Sequence, residues 1–500
     1  MTGVCTLVNG DAPGRIQGTE GNEPATEPDR LGCSEEFGKP GASLGEPRAI
    51  PRARVSSDPQ ASSTARWIPL GWIAGALSSG LVVVWALGLS WHRRQLDIAV
   101  YLMGARHLLD GKLYHVGLPA APHLPFTYPP FAAVVFAPLN LLPLTAAQVV
   151  WSVVNVVALF ALVWLSVRAA RPGLDRQLLL VWSLVLMIPA FFIEPVHLTF
   201  AFGQVNIVLA ALVLADLTGH LRLGGRSLPR GVVVGVVAAV KLIPLIFVLY
   251  LFVTRQIRAA WVALGTFAAC SVAAAATGPA VSWSYWTRYA TDAKRVGGVF
   301  YISNQSLRAV ADRLDHRVVS TGLTTFISAV VLLAGMVLAR WAWRSSSNLL
   351  GVLVCATTGL LASPITWAHH MVWVVPVLIW LVWAPDRPAG GRLWALAGAV
   401  LFWWAPIWGV PNGSDIELTE HGWQLLWGNS FFLAMVVFMV GVVAMLTLRR
   451  RPTGYMDGTP SMPLSGEVDG VPRNPSDGPD GRDGRDGRDG RESLPPVPSR

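Results

Sequence analysis

The chain has 500 residues, of which 53% are hydrophobic and 14% charged, and its net charge is +9. This is too apolar for a soluble protein of that length, and the surplus of Arg gathers at the ends of apolar runs, so it gives no reason to expect nucleic acid as a partner. The 22 tryptophans suit a membrane–water boundary, where the ring is apolar and the N–H stays wet.

Residues 1–66 are rich in Gly, Pro, Glu, Ser and Arg, lack apolar periodicity, and read as a disordered tail rather than a cleavable signal peptide. The first apolar run, Ile68–Ser90, is long enough for a hydrocarbon core of roughly 30 Å. After it comes LDIAVYLMGARHLLDGKLY, in which Ile98, Leu102, Ala105 and Leu109 share one helical face and Gly111 is a natural stop. That pattern predicts a short amphipathic helix along the membrane surface with Asp97 at its N-terminal end. Two roles suit Asp97: a helix cap that complements the dipole, or a general base whose pKa is raised by partial desolvation. The loop PFTYPPF (Pro125–Phe131) is stiffened by proline and walled by aromatic rings, and Pro130–Pro143 is short enough to be re-entrant, interfacial or a span.

Further spans are expected at Ala146–Val167, Gln177–Pro195, Thr199–Thr218, Gly231–Phe252, Ala259–Ala280, Thr321–Ala339, Leu349–Ser363, His370–Trp383, Arg392–Val410 and Asn429–Leu448. Gly231–Phe252 carries Lys241 and Pro244 at its middle, which a continuous lipid-facing helix bears badly, so it is expected to break and fold back to its own side. With the N-terminal tail in the cytoplasm and the two irregular segments not crossing, the basic loops Arg168–Arg176, His220–Arg230, Arg255–Arg258, Arg340–Arg344, Asp386–Arg392 and Arg449–Arg451 all fall inside. The same threading places Asp97, Glu194, His197, Asn304, Gln305, His369 and His370 outside, on the face where the reactive side chains gather.

Several of these external groups have two readings each. Gln204 and Asn206 of GQVN (Gly203–Asn206) pair with neighbouring helices or bind sugar hydroxyls. Lys241 snorkels, pairs with an acid, or meets an anionic ligand. The loop 281–320 breaks the inside-positive pattern with Arg288, Lys294, Arg295, Arg308, Arg313 and Arg317; these contact headgroups and are neutralised by Asp292, Asp312 and Asp315, or some of them hold a phosphate. Within it, NQSLRAVADR (Asn304–Arg313) offers two amides, a hydroxyl and two arginines.

The adjacent histidines of SPITWAHH (Ser363–His370) point in different directions and lack the i, i+4 spacing of a zinc pair, so one of them donating to a phosphate is the better reading. Cys5 and Cys33 lie in a polar tail, and Cys270 and Cys355 read as packing residues. No metal or other cofactor is expected. Residues 451–500, with the run Gly481–Arg491 (GRDGRDGRDGR), read as a second solvated tail.

The motifs D-x-x-x-Y (Asp97, Tyr101), G-x-L-Y (Gly111–Tyr114) and F-x-Y-P-P (Phe126–Pro130), following a membrane-embedded start, resemble the polyprenyl-phosphate-dependent glycosyltransferases of the GT-C superclass. GQVN, K-L-I-P (Lys241–Pro244), NQSL (Asn304–Leu307) and S-P-I-x-W-x-H-H, in that order, resemble glycosyltransferase family 87, whose members include actinobacterial α-1,2-mannosyltransferases that build phosphatidylinositol mannosides and lipomannan. The resemblance covers about residues 68–448. It implies an inverting enzyme that takes mannose from a polyprenyl-phosphate donor on the outer face and adds it to a hydroxyl of a lipid-anchored glycan.

Asp97 aligns with the family's first-loop acid, the acceptor's base, and His369 and His370 with a histidine pair near the donor phosphate. Lys241 and Arg308 are the further donor-phosphate candidates, and Tyr101, Tyr128, Gln204, Asn206, Asn304 and Gln305 the substrate-binding ones. A phosphate monoester is already a good leaving group, so one base, cations or N–H donors on the phosphate, and alignment suffice.

The expected fold is an all-α polytopic membrane protein of about ten to twelve transmembrane helices, GT-C-like, with short external helices. Its domains are a cytoplasmic tail (1–66), a membrane-embedded glycosyltransferase domain (67–450) and a second cytoplasmic tail (451–500). The same lipid-phosphate chemistry with another sugar such as arabinose, or transport of a lipid or sugar-lipid, are the alternatives.

Overall fold

The computed structural model describes residues 59–450 apart from 93–94, 120–122, 220, 224 and 414. The expectations for the two tails, including Cys5, Cys33 and the GRD run, lie outside the described residues. The described residues from Ser62 onward form one compact unit that is almost wholly helical; one two-residue hairpin, β1 (Arg222–Leu223) against β2 (Arg226–Ser227), is the sheet seen among the described residues.

The first half runs through α1 (Pro59–His92), α2 (Leu96–Arg106), α3 (Pro130–Phe136), α4 (Leu144–Ala170), α5 (Arg176–Val185), α6 (Met187–Phe191), α7 (Glu194–Phe202), α8 (Asn206–Thr218) and α9 (Val232–Val240). The second half runs through α10 (Ile246–Val253), α11 (Ile257–Thr277), α12 (Pro279–Ser284), α13 (Leu307–Leu314), α14 (Thr321–Ser345), α15 (Asn348–Ala362), α16 (Val374–Trp383), α17 (Gly391–Trp404), α18 (Trp423–Gly428) and α19 (Ser430–Arg450). Among the described residues, α1, α4, α11, α14 and α19 are each long and apolar enough to cross a membrane. They are turned inside out relative to a soluble bundle: only 22% of the apolar window of α1 is buried, and Leu77, Val84, Leu333 and Val337 face outward.

The other expected spans are present as broken or short helices, and polar residues mark several of the breaks. The expected span Thr199–Thr218 falls on two helices, α7 and α8, with a bend of 119° between them. Gly203, at φ +69, takes the left-handed turn between them, where a side chain is strained and where a Cβ would lie 3.2 Å from Gln95 and Ile98. Gly231–Phe252 breaks at Lys241, between α9 and a 3-10 turn, Ile243–Leu245.

Both ends of that segment sit at the same end of the molecule. The Gly231 N–H reaches the Asp216 carboxylate at 3.0 Å, Arg230 donates to Gln256 at 2.6 Å, and Tyr250 donates to Asn348, which itself donates to the Leu217 carbonyl. The segment is therefore a helical hairpin with Lys241 at its apex. Pro130–Pro143 likewise stays on one side: Asn140, in its 3-10 end, donates to the Leu102 carbonyl of α2 and accepts from Arg106.

One buried guanidinium organises the loop 281–320. Arg313 of α13 is 0% exposed; it donates to Asn429 at 2.7 and 3.1 Å and to the carbonyls of Phe300, Tyr301 and Asn304 at 3.0–3.2 Å. Burial pulls its pKa down to about 10, with Glu420 and Glu417 opposing that shift. Glu420 is buried beside it and is pushed up to about 7 by desolvation. Replacing Arg313 by Met leaves four buried acceptors without their donor, at a cost of about 3 kcal/mol. A clear drop in melting temperature of the detergent-solubilised protein is the expected result, and an unchanged melt removes Arg313 from the loop's support.

Candidate active site

The site is assembled from five places in the chain: the first turn of α2, the loop before α3, the α7–α8 turn, the apex of the Gly231–Phe252 hairpin, and the 3-10 turn Ala368–Trp373. Asp97 does not occupy the cap position of α2. That position is Gln95, left-handed at φ 38 and ψ 63, whose side chain donates to Ser152 and to the Phe200 carbonyl and so fastens α2 onto α4 and α7. Asp97 stands in the first helical turn, half-buried. Burial pushes its carboxyl up to about 6, while a hydrogen bond from Gln204 and the charge of Lys241 pull it back. Partial exposure with strong desolvation is the environment of a group lining an internal, water-reachable space.

Around it the hydrogen bonds form one network. Tyr101, a helical turn after Asp97, donates to Gln204 Oε1 at 2.9 Å and reaches the Tyr128 hydroxyl at 3.2 Å. Gln204 Nε2 donates to the Tyr128 hydroxyl at 3.3 Å. The turn carrying Gln204 is fixed by Trp151 of α4, which donates to the Gly203 carbonyl at 2.8 Å. Tyr128 in turn presents its ring to Lys241, whose Nζ is 5.4 Å from the ring centre.

Lys241 is buried, donates to Asn206 Oδ1 at 2.8 Å, and lies 3.2 Å from His370 Nε2. No carboxylate among the described residues lies within 4.0 Å of it, so the buried ammonium is carried by neutral acceptors and by Asp97 at longer range. Asn206 Nδ2 donates to the His369 carbonyl at 2.9 Å and Phe202 packs edge-on against the His369 ring. Both ring nitrogens of His369, and Nδ1 of His370, are buried without a hydrogen-bond partner. With Lys241 donating to Nε2, the proton of a neutral His370 ring is on Nδ1, a donor that has no acceptor in the fold. A pocket opens beneath this pair, lined by Asn206, Leu209, Ile243, Phe247, Leu360 and Trp373.

Eight of the sequence candidates therefore meet in one constellation: Asp97, Tyr101, Tyr128, Gln204, Asn206, Lys241, His369 and His370. Three others stand apart. Asn304 accepts from the Thr366 N–H at 2.7 Å and donates to the Val299 carbonyl, and Gln305 donates to Ile302 and Gly428 carbonyls and accepts from the Phe432 N–H. The Asn304 amide pins SPITW, the segment that delivers the histidines, while the Gln305 amide ties its own loop to the start of α19. Arg308 is 3.5 Å from the Thr321 hydroxyl and outside the constellation. Glu194 accepts from Trp408 and pairs with His197.

Sequence reasoning did not single out Gln95, Trp151 or Thr199: the first fastens α2 onto α4 and α7, the second holds the Gly203 carbonyl, and the Thr199 hydroxyl lies 3.5 Å from the His369 carbonyl. Among the described residues, no group of three or more His, Cys, Asp or Glu could hold a metal ion. A second groove, lined by Trp182, Leu186, Phe192, Val375, Ile379 and Trp403, has Arg392 at its rim as its one ionisable residue and offers no base.

Comparison with known proteins bears on the same residues. The family model for glycosyltransferase family 87 matches residues 126–364, a segment holding Tyr128, Gln204, Asn206 and Lys241, with Asp97 and the histidines on either side of it. A Mycobacterium tuberculosis protein named polyprenol-phosphate-mannose-dependent alpha-(1-2)-phosphatidylinositol mannoside mannosyltransferase is 34% identical over 407 residues, 76% of this chain and 91% of that protein. A Mycolicibacterium smegmatis protein, named as the corresponding phosphatidylinositol pentamannoside mannosyltransferase, is 32% identical over 375 residues, 70% of this chain and 84% of its own. No solved structure matches. With that identity sustained over more than two thirds of its length, the chain belongs to glycosyltransferase family 87.

Proposed function

We propose that the protein transfers mannose from a polyprenyl-phosphate-mannose donor to a hydroxyl of a phosphatidylinositol-mannoside-type lipid, forming an α-1,2 linkage at the external membrane face. The observation that carries this reading is a half-buried carboxylate, Asp97, set near a buried cation and two histidines with unpartnered ring nitrogens. The names of the relatives supply the sugar, donor and acceptor class.

The chemistry follows from the layout. Asp97 takes the proton of the acceptor hydroxyl as its oxygen attacks the anomeric carbon. The bond from that carbon to the phosphate oxygen breaks, and polyprenyl phosphate leaves carrying the electron pair. Attack opposite the leaving group inverts a β-linked donor to an α-linked product. Lys241 and the His370 and His369 ring N–H groups neutralise the charge that grows on the phosphate in a site from which water is largely excluded. Gln204, Tyr101 and Tyr128 orient the carboxylate and the sugar. Mannose and arabinose donors share this phosphate chemistry, so the hydroxyl contacts of Tyr128 and Gln204 decide the sugar. The inside-positive loops support an external site with both termini cytoplasmic.

Asp97→Asn removes the base without changing shape, and the expected loss in kcat is about a thousandfold at matched folded protein; retention of activity sinks the mechanism. Since the base works ionised, the acidic limb of wild-type activity is half-maximal near pH 6, and activity falls as pH drops through that value. Lys241 holds Asp97 down, so Lys241→Met moves this acidic limb to higher pH besides raising the donor KM; a limb that stays in place disconnects the two groups. For orientation, a single cysteine at Asn412 is expected to react with a membrane-impermeant maleimide in intact cells and one at Gly173 is not. The reverse pattern turns the protein over.

A further inference from the structure

The reaction proposed above involves two phosphates, one in the donor and one in the lipid acceptor, and Lys241 serves the first. A second cation is fixed to the same framework. Arg295, in the 3-10 turn Ala293–Val296, has its guanidinium carbon 4.4 Å from the centre of the Tyr289 ring, and Nη2 donates to the Tyr114 carbonyl at 2.8 Å. Its Nε is buried with no acceptor, and no carboxylate among the described residues, Asp292 of the same loop included, lies within 4.0 Å of the guanidinium. An arginine clamped on one edge, stacked on one face and left without a counter-charge is prepared for an anion.

Buried rings tie its position to the base. Tyr114 stacks on Tyr285 at 5.4 Å and lies 5.0 Å from Tyr289; its hydroxyl donates to the Tyr128 carbonyl at 2.8 Å. Its ring is 6.0 Å from Phe126, which is 5.7 Å from Tyr128 and packs so closely on Gly104 of α2 that a Cβ there would meet the ring at 2.3 Å. The contacts thus run from Arg295 through Tyr114, Phe126 and Tyr128 to Lys241, with a cation at each end and Asp97 near Tyr128 and Lys241. Tyr289 and Arg295 keep partial exposure, while Tyr114 and Phe126 are buried, so the rings set the spacing and the guanidinium faces the ligand.

We propose that Arg295, clamped by the Tyr114 carbonyl and the Tyr289 ring, is an anion subsite for the phosphodiester of the lipid acceptor, measuring the distance from that phosphate to the hydroxyl presented to Asp97. It rests on the glycosyl-transfer reading and adds a determinant of acceptor choice. Arg295 is a binding residue and takes no part in the bond changes.

The test uses the full-length protein in lipid nanodiscs with labelled polyprenyl-phosphate-mannose and two acceptors, a phosphatidylinositol mannoside and the neutral octyl α-mannoside. Wild type should favour the anionic acceptor in kcat/KM. Arg295→Gln should lower that preference about tenfold through the KM of the anionic acceptor, and Arg295→Lys should recover part of it. An unaltered preference in Arg295→Gln overturns the subsite, as does a rise in donor KM alike with both acceptors, which assigns the arginine to the donor. Should the variant not fold, the wild type decides: its KM for the anionic acceptor should climb with salt while that for the neutral one stays level, and a flat response overturns the proposal. If wild type glycosylates neither acceptor, the transferase reading itself fails, and this subsite with it.

Discussion

An ammonium group cannot stay in hydrocarbon without acceptors, and Lys241 is buried at the apex of a helical hairpin. Much of the molecule answers that one requirement. Asn206 and His370 come to it from two other elements, and each is fixed in turn: Asn206 by the Gly203 turn that bends α7 against α8, His370 by a 3-10 turn that NQSL pins in place. Asp97 acts on it as a countercharge at longer range, and the same positive charge restrains the rise in the Asp97 pKa that burial causes. Removing Lys241 would therefore disturb Asp97, the histidines and the turn together.

The irregular segments follow from the same logic. A continuous helix satisfies its backbone internally and presents only side chains to its surroundings, which suits lipid and little else. Where the chain must offer a carboxylate, an amide or an imidazole at membrane depth, it breaks: at Gln95, at Gly203, at Lys241 and at Ala368–Trp373. The freed backbone groups are then paired by side chains from other elements, Trp151 on the Gly203 carbonyl and Asn304 on the Thr366 N–H among them. The long helices α1, α4, α11, α14 and α19 have no such task, and four of the five bury under a third of their apolar window. The fifth, α4, is half-buried because it supports the α7–α8 turn.

Charge that departs from the inside-positive pattern acquires two distinct explanations. Arg313 is a structural hub, satisfied by five hydrogen bonds within the protein. The guanidinium of Arg295, eighteen positions earlier in the sequence, has one hydrogen bond, one aromatic face and, among the described residues, no carboxylate within 4.0 Å. The loop is basic, then, for two separate reasons, and only the geometry distinguishes them.

Composition and periodicity alone determined that the protein is a helical membrane protein, because hydrophobicity sustained over some twenty residues has no other outcome in water or lipid. Sequence also marked Asp97, Gln204, Asn206, Lys241, His369 and His370, since an isolated polar residue at the end of an apolar run has few inexpensive roles. It anticipated that Gly231–Phe252 would turn back, from a lysine and a proline that a spanning helix tolerates badly. Sequence could not tell a cap from a base at Asp97, nor a ligand from a brace at Asn304 and Gln305, because an amide looks the same whether backbone or substrate receives its bonds. Tertiary structure fixed the partners in each case: Gln95 took the cap position, the Thr366 N–H and the Gly428 carbonyl took the two amides, and burial beside Gln204 and Lys241 pushed the Asp97 carboxyl up to about 6. Partners distant in sequence set these roles, and only folding brings them within bonding distance.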